Sequence, residues 1–176
     1  VTSPPGTYAD LEAEVQRRYG LQLAIVVDAP DDDEQALLAQ LGAATAYYLE
    51  TGLRSGDVIG ISSWSASLLA AVDAMRVIPS LSDIRVVQIL GGVGNPSAKA
   101  HANRLTSRLA DLVHGEPVHL PSPGGAGSLE IAAALRQDPF VSATMALFDE
   151  ITVALIGIGA IEPSRLLASS GNIFSS

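Results

Sequence analysis

Two rhythms of apolar and polar positions run along this chain. Short, nearly continuous apolar stretches occur at Leu21–Val27 (LQLAIVV), Asp57–Ile61 (DVIGI), Ile84–Leu90 (IRVVQIL) and Ile151–Ile161 (ITVALIGIGAI). Such stretches predict strands buried on both faces. A shorter strand is expected within PVHLPSPGG, ahead of a stiff Pro/Gly loop. Between them the apolar residues recur at helical spacing. A first helix is predicted from Tyr8 to Tyr19, with Leu11, Val15 and Tyr19 on one stripe and Gly20 as its stop. Further helices are predicted at Glu34–Glu50, closed by Thr51-Gly52, and at Ser65–Val77. Another is expected at Ser97–Val113, with Ala98, Ala102, Leu105, Leu109 and Leu112 on its inner face, and a last one at Glu130–Phe148, broken in two at Asp138-Pro139. Apolar strands alternating with helices predict an α/β fold: a Rossmann-like, mainly parallel sheet with helices on both faces. No internal repeat is visible.

Composition narrows the classes. At 176 residues, 48% hydrophobic and only 16% charged, the chain suits one domain with a substantial core and is not a disordered segment. The greasiest run, Ile151–Ile161, is about half of the ~20 residues a membrane helix needs, so no membrane partner is expected. The opening VTSPPGTYADLE carries neither the basic nor the apolar region of a secretion signal. The absence of cysteine excludes disulfides, thiolate metal sites and cysteine nucleophiles, and fits a cytoplasmic location. A net charge of −9 opposes nucleic-acid binding by this chain itself. Any anion must be held by local dipoles against that field.

Chemistry is expected beyond the carboxyl ends of the strands, where open parallel sheets bind ligands. Four segments meet that description: Ser62–Ser67, Gly91–Pro96, Pro121–Gly125 and Gly157–Ala160. Each is rich in Gly, Ser or Pro, and backbone amides at the helix starts that follow attract anions, phosphate above all. Ser65 reads equally well as the N-cap of the third helix, and GGVG alone as a tight turn. DAPDDD stands where a dinucleotide-binding chain has G-x-G-x-x-G, no P-loop lysine motif occurs, and GISSWS is not a nucleophile elbow. No cofactor is therefore expected. Asp31, Asp32 and Asp33 precede a helix and read as capping carboxylates rather than a metal site. His114 falls at a helix end near solvent, and His119 in a short strand reads as structural. His101, in the first turns of the fourth helix, stands toward GGVG and is a candidate ligand contact. No pair of carboxylates faces these loops, since Asp149 and Glu150 precede the last strand; no catalytic or metal residues are assigned.

Five blocks, in order, resemble the effector-binding domain of the SorC family of bacterial sugar-responsive transcriptional regulators: PPGTYADLEAEVQRRYGL, DVIGISSWSASL, VVQILGGVGNPSAKAHANRL, VHLPSPGGAGSLE and VALIGIGAIEPSRLLASSGN. The resemblance covers nearly the whole chain. It implies a fold similar to glucosamine-6-phosphate deaminase and ribose-5-phosphate isomerase, a phosphorylated sugar as effector, and a homodimer or tetramer. It also implies DNA contact through a separate N-terminal helix-turn-helix domain, with residues 1–7 as the linker from it and 8–176 as the effector-binding domain. Family members continue for several dozen residues past GNIF, so the resemblance implies a domain fragment here. The family's W-[GS]-x-T phosphate turn corresponds to Trp64-Ser65-Ala66-Ser67, with serine in place of the final threonine. Its glycine loop corresponds to Gly91 and Gly92, preceded by Leu90 where some relatives have arginine. His101 stands where a glycolytic relative has a sugar-contacting glutamine, and Ala160, after Gly159, where that relative has a glutamate. These departures leave the sugar itself unassigned.

The expected function is thus ligand sensing rather than catalysis. A sugar-phosphate isomerase or deaminase on the same architecture is the alternative, and a scaffold that only oligomerises is a third.

Overall fold

The computed structural model describes residues 8–29, 33–92 and 96–159, side chains of 96–102 excepted. The stretch 1–7, Asp31, Asp32 and Ala160, all named above, lie outside the described residues. The elements follow the order α1 (Ala9–Tyr19), α2 (Glu34–Gly52), β1 (Val58–Ile61), α3 (Ala66–Ala74), β2 (Arg85–Gln88), α4 (Pro96–Leu112), β3 (Glu116–Val118), α5 (Leu129–Gln137), α6 (Pro139–Ala146) and β4 (Val153–Leu155), with a 3-10 turn at Leu147–Glu150 before β4. The strands form one parallel sheet in the order β3-β2-β1-β4.

That order carries a reversal. From β1 the chain steps through β2 to β3 in one direction, then returns to place β4 on the other side of β1. Crossovers between parallel strands keep one hand, so α3 and α4 pass over one face while the return crossover passes over the other. The core reflects this. Ile59, Ile61, Ile84 and Val86 share a buried cluster with Leu49 of α2, Leu68 and Val72 of α3, Leu105 and Leu109 of α4, and Val113 just after it. Val58 and Val87, at the alternate positions of β1 and β2, are buried outside that cluster. On their side, a Cβ at Gly60 would come within 2.7 Å of the Ile151 side chain and 2.9 Å of Ile89.

Local chemistry accounts for the element ends. Asp33 caps α2 by accepting from the Ala36 amide, Ser128 caps α5 by accepting from Ile131, and Asp138 caps α6 by accepting from Phe140 and Val141. Pro139 then begins α6, which is why the predicted long helix breaks there. Asp33 thereby takes the capping role read from the sequence.

Three expectations need correction. Leu21–Val27 is not a strand: its backbone pairs with no strand among the described residues. Instead the Val26 amide donates to Glu12 Oε1 at 3.0 Å, and the Tyr8 hydroxyl donates to Asp28. The stripe predicted for α1 is met only at Val15, which is partly buried, while Leu11 and Tyr19 are exposed and Glu12 is buried. The polar backbone of 21–27 needs an acceptor, and a carboxylate from α1 supplies it. Finally, the last strand is confined to Val153–Leu155, and Ile156 and Ile158 beyond it are exposed.

Helices α2 and α3 meet closely at Gly42 of α2, where a Cβ would lie 2.6 Å from the Ala70 carbonyl of α3. Alanine in a helix is ordinarily about 1 kcal/mol better than glycine. At this position we expect the opposite sign: Gly42→Ala forces the helices apart and costs about 1–3 kcal/mol. Urea unfolding midpoints of the two proteins check it, and a stabilised variant would contradict the packing.

Candidate functional site

Where a parallel sheet reverses its winding, the loops leaving the two neighbouring strands diverge and open a crevice. Here that point lies between β1 and β4, and it brings together the loops that follow them. β1 leads through Ser62, whose amide donates to the Leu155 carbonyl at 3.0 Å, into Ser63 and Trp64 and then α3. Ser65 caps α3: its Oγ accepts from the Leu68 amide at 3.3 Å and lies 2.8 Å from Ser67 Oγ. The capping reading of Ser65 is thus met, and its hydroxyl also faces that of Ser67.

Helix geometry leaves the Ala66 and Ser67 amides of the first turn without an intrahelical acceptor. They share this end with two serine hydroxyls, and Ser65, Ala66 and Ser67 are all partly exposed. Trp64 is buried, so its ring fixes the turn from below. From the β4 side Gly157 approaches so closely that a Cβ there would stand 2.2 Å from Ser65 Oγ and 2.6 Å from Ser65 Cβ. Gly157 opens the Gly157–Ala160 segment singled out from the sequence, in which Gly159 and Ala160 are the assigned contacts. Its own signal was the glycine spacing in GIGA, but the partner it must admit becomes visible only once β4 pairs with β1. Gly159 is exposed, with nothing near its Cβ position.

The loops after β2 and β3 form a second joined pair. Gly92 pairs with Pro123 in a parallel bridge, and the Gly124 amide donates to the Gly92 carbonyl at 2.9 Å. A Cβ at Gly91 would fall 2.3 Å from the Ser122 carbonyl oxygen, so only glycine fits between these strand ends. Gly91 and Gly92 thus lie beyond the carboxyl end of β2, next to the Pro121–Gly125 loop. His101 lies within α4, the helix that follows the Gly91–Gly92 loop.

Buried polar groups gather at the same edge. Gln88, fully buried at the end of β2, donates Nε2 to the Leu90 carbonyl at 2.7 Å. Ser107 Oγ of α4 lies 3.3 Å from His119 Nε2. Burial holds the His119 imidazole below the ordinary histidine pKa. His114, by contrast, is exposed at the end of α4 with a φ of 51°. An apolar groove of about 450 Å³ lies elsewhere, between residues 21–27 and α2, lined by Leu21, Leu23, Ile25, Leu41 and Tyr48. It offers none of the amide clusters an anion needs. Among the described residues no group of three or more carboxylates and histidines is arranged to hold a metal ion, and no helix is long and apolar enough to cross a membrane.

Comparison with known proteins gives this geometry a context. A family model described as "Putative sugar-binding domain" matches residues 3–175. The deoxyribonucleoside regulator of Bacillus subtilis (strain 168) is 22% identical over 167 residues, covering 93% of this chain and 53% of that protein. Among solved structures, a domain of the transcriptional regulator DeoR from Pseudomonas syringae pv. tomato is 37% identical, with a TM-score of 0.68 over 85% of this chain and 62% of that one. The full-length sorbitol operon regulator SorC from Klebsiella pneumoniae is 25% identical, with a TM-score of 0.73 over 83% of this chain and 47% of that one. The chain spans about half the length of the curated relatives it matches.

Two outcomes follow from the site geometry. Gly157→Ala pushes Ser65 off its cap, so it lowers the melting temperature and weakens binding of any anion at the α3 N-terminus; a phosphate titration followed by calorimetry checks the second effect. Because the folded His119 resists protonation, stability is full above the unfolded histidine pKa of about 6.5 and falls as pH drops below it. His119→Gln should flatten that decline in thermal melts between about pH 7.5 and 5.5, a window above the ordinary carboxylate range. Parallel curves for the two proteins would contradict it.

Proposed function

The chain belongs to the sugar-binding domain family, and on that premise we propose that it senses a phosphorylated sugar on behalf of a bacterial transcriptional regulator. The observation that carries the reading is the junction of Ser65 and Gly157 at the reversal between β1 and β4, with the α3 N-terminus open beside it. The phosphate lies on the Ala66 and Ser67 amides and the Ser65 and Ser67 hydroxyls, above Trp64. A dianion there is favoured by the helix dipole at close range, which is how an acidic chain holds an anion without a basic patch. Sugar hydroxyls reach Gly91, Gly92 and His101 on one side and Gly159 and Ala160 on the other.

The output is allosteric rather than chemical. The ligand binds one subunit arrangement of a homodimer or tetramer better than another, and a separate helix-turn-helix domain reads the difference as altered affinity for DNA. The net charge of −9 supports this division, because DNA contact then falls outside this domain. The regulator works in the cytoplasm, uses no cofactor, and releases its ligand unchanged. Its relatives are regulators, which supports a sensor over an isomerase or deaminase.

Calorimetric titration of a panel of sugar phosphates, with turnover assayed in the same samples, tests the proposal. Heat of binding without product is expected; product formation would replace the sensor by an enzyme, and silence across the panel by a scaffold. Ser67→Ala is expected to weaken a phosphorylated ligand by roughly 1.5–3 kcal/mol, the worth of a hydrogen bond to a charged group. An unchanged affinity in that variant removes Ser67 from the phosphate site.

A further inference from the structure

The sheet register puts the buried Gln88 and the half-buried His119 side by side at the carboxyl end of the sheet. Arg85 pairs with Glu116 in β2 and β3, and farther on Gly92 pairs with Pro123 in the same register. Gln88 therefore lies opposite His119. Directly paired residues of a parallel sheet project from the same face, with strands about 4.8 Å apart. The face is that of α4, since Gln88 alternates with Ile84 and Val86 of the core cluster and His119 meets Ser107. Gln88 Oε1 and His119 Nδ1 are both buried, and neither finds a hydrogen-bond partner among the described residues.

The two atoms are chemically complementary to one kind of guest. When the Ser107 hydroxyl donates to His119 Nε2, the neutral ring carries its proton on Nδ1 and presents a donor. Gln88 cannot turn its amide around, because Nε2 is committed to the Leu90 carbonyl; it presents an acceptor. A donor and an acceptor on adjacent strands match a hydroxyl, which accepts from one and donates to the other. We propose that Gln88 and His119 seat one hydroxyl of the sugar and so decide which sugar is recognised. This rests on the sugar-phosphate reading above and adds to it the residues that set specificity. Burial of the two atoms makes the pair selective, since a ligand without that hydroxyl leaves both of them unsatisfied. Gln88 also ties the seat to the backbone just before Gly91 and Gly92, so the occupant acts on that loop.

The experiment pairs ribose 5-phosphate and glucose 6-phosphate with their single-deoxy analogues, and uses inorganic phosphate as the probe of the α3 end. In the unaltered chain one deoxy position should cost about tenfold or more in affinity. In Gln88→Met and in His119→Phe that penalty disappears, while inorganic phosphate competes as before. A penalty that persists in both variants, or that is missing from the unaltered chain, overturns the proposal. Variants that only lower the melting temperature with the penalty unchanged assign the pair to a structural water and overturn it too. If no sugar phosphate binds, the sugar-phosphate reading falls and takes the seat with it. Should either variant fail to fold, the imidazole resonances of the unaltered chain decide: the His119 signal moves with a bound sugar phosphate and not with inorganic phosphate, and a signal that stays still overturns the assignment.

Discussion

Everything at the ligand edge depends on β1 being paired on both sides. Its carboxyl end is held by β2 through the Ile89 amide, which donates to the Ile61 carbonyl, and by β4 through the Ser62 amide, which donates to Leu155. Those bonds fix where the chain leaves the sheet, and hence where α3 begins. Ser65 can then cap the helix only if the loop from β4 passes without a side chain, which glycine at 157 allows. A short, fully buried strand with parallel neighbours on both sides is rigid, so the donors it aims are fixed before a ligand arrives.

Any attraction of an anion to this acidic chain acts at short range. The net charge of −9 sets an unfavourable field at a distance, but helix-end amides act within a turn, where the far field is already screened by salt. The two sides of the edge accordingly differ in chemistry. Around α3 the groups are donors suited to charge; around Gln88 and His119 they are a neutral donor and acceptor suited to a hydroxyl. A molecule that is anionic at one end and hydroxylated at the other matches this division.

Most of the fold was legible because its strands are short apolar runs bounded by turn residues, and its helices carry caps that can be read as such. The Asp138-Pro139 break is the clearest case. What misled was the assumption that every apolar run joins the sheet. LQLAIVV has the right composition, yet its backbone is satisfied partly by Glu12, a residue whose burial no periodicity predicts. The candidate loops were legible from the rule about strand ends, but their pairing was not. That Gly157 faces Ser65, Gly91 faces Ser122 and Gln88 lies beside His119 depends on strand order and register, which are non-local. His119 read as structural because, taken singly, a histidine in a short strand has no visible partner.

The close approach of Gly42 to Ala70 has a mechanical consequence. Side chains between packed helices act as springs, turning through rotamers to absorb a shift of one helix against the other. At this contact there is no rotatable side chain, only the Gly42 backbone against the backbone and Cβ of Ala70. A displacement of α3 would therefore meet the α2 backbone directly at Gly42. The outer side of α2 carries Tyr47 and Tyr48, both half exposed. At this crossing the two helices are built to move as one body rather than to slide past each other.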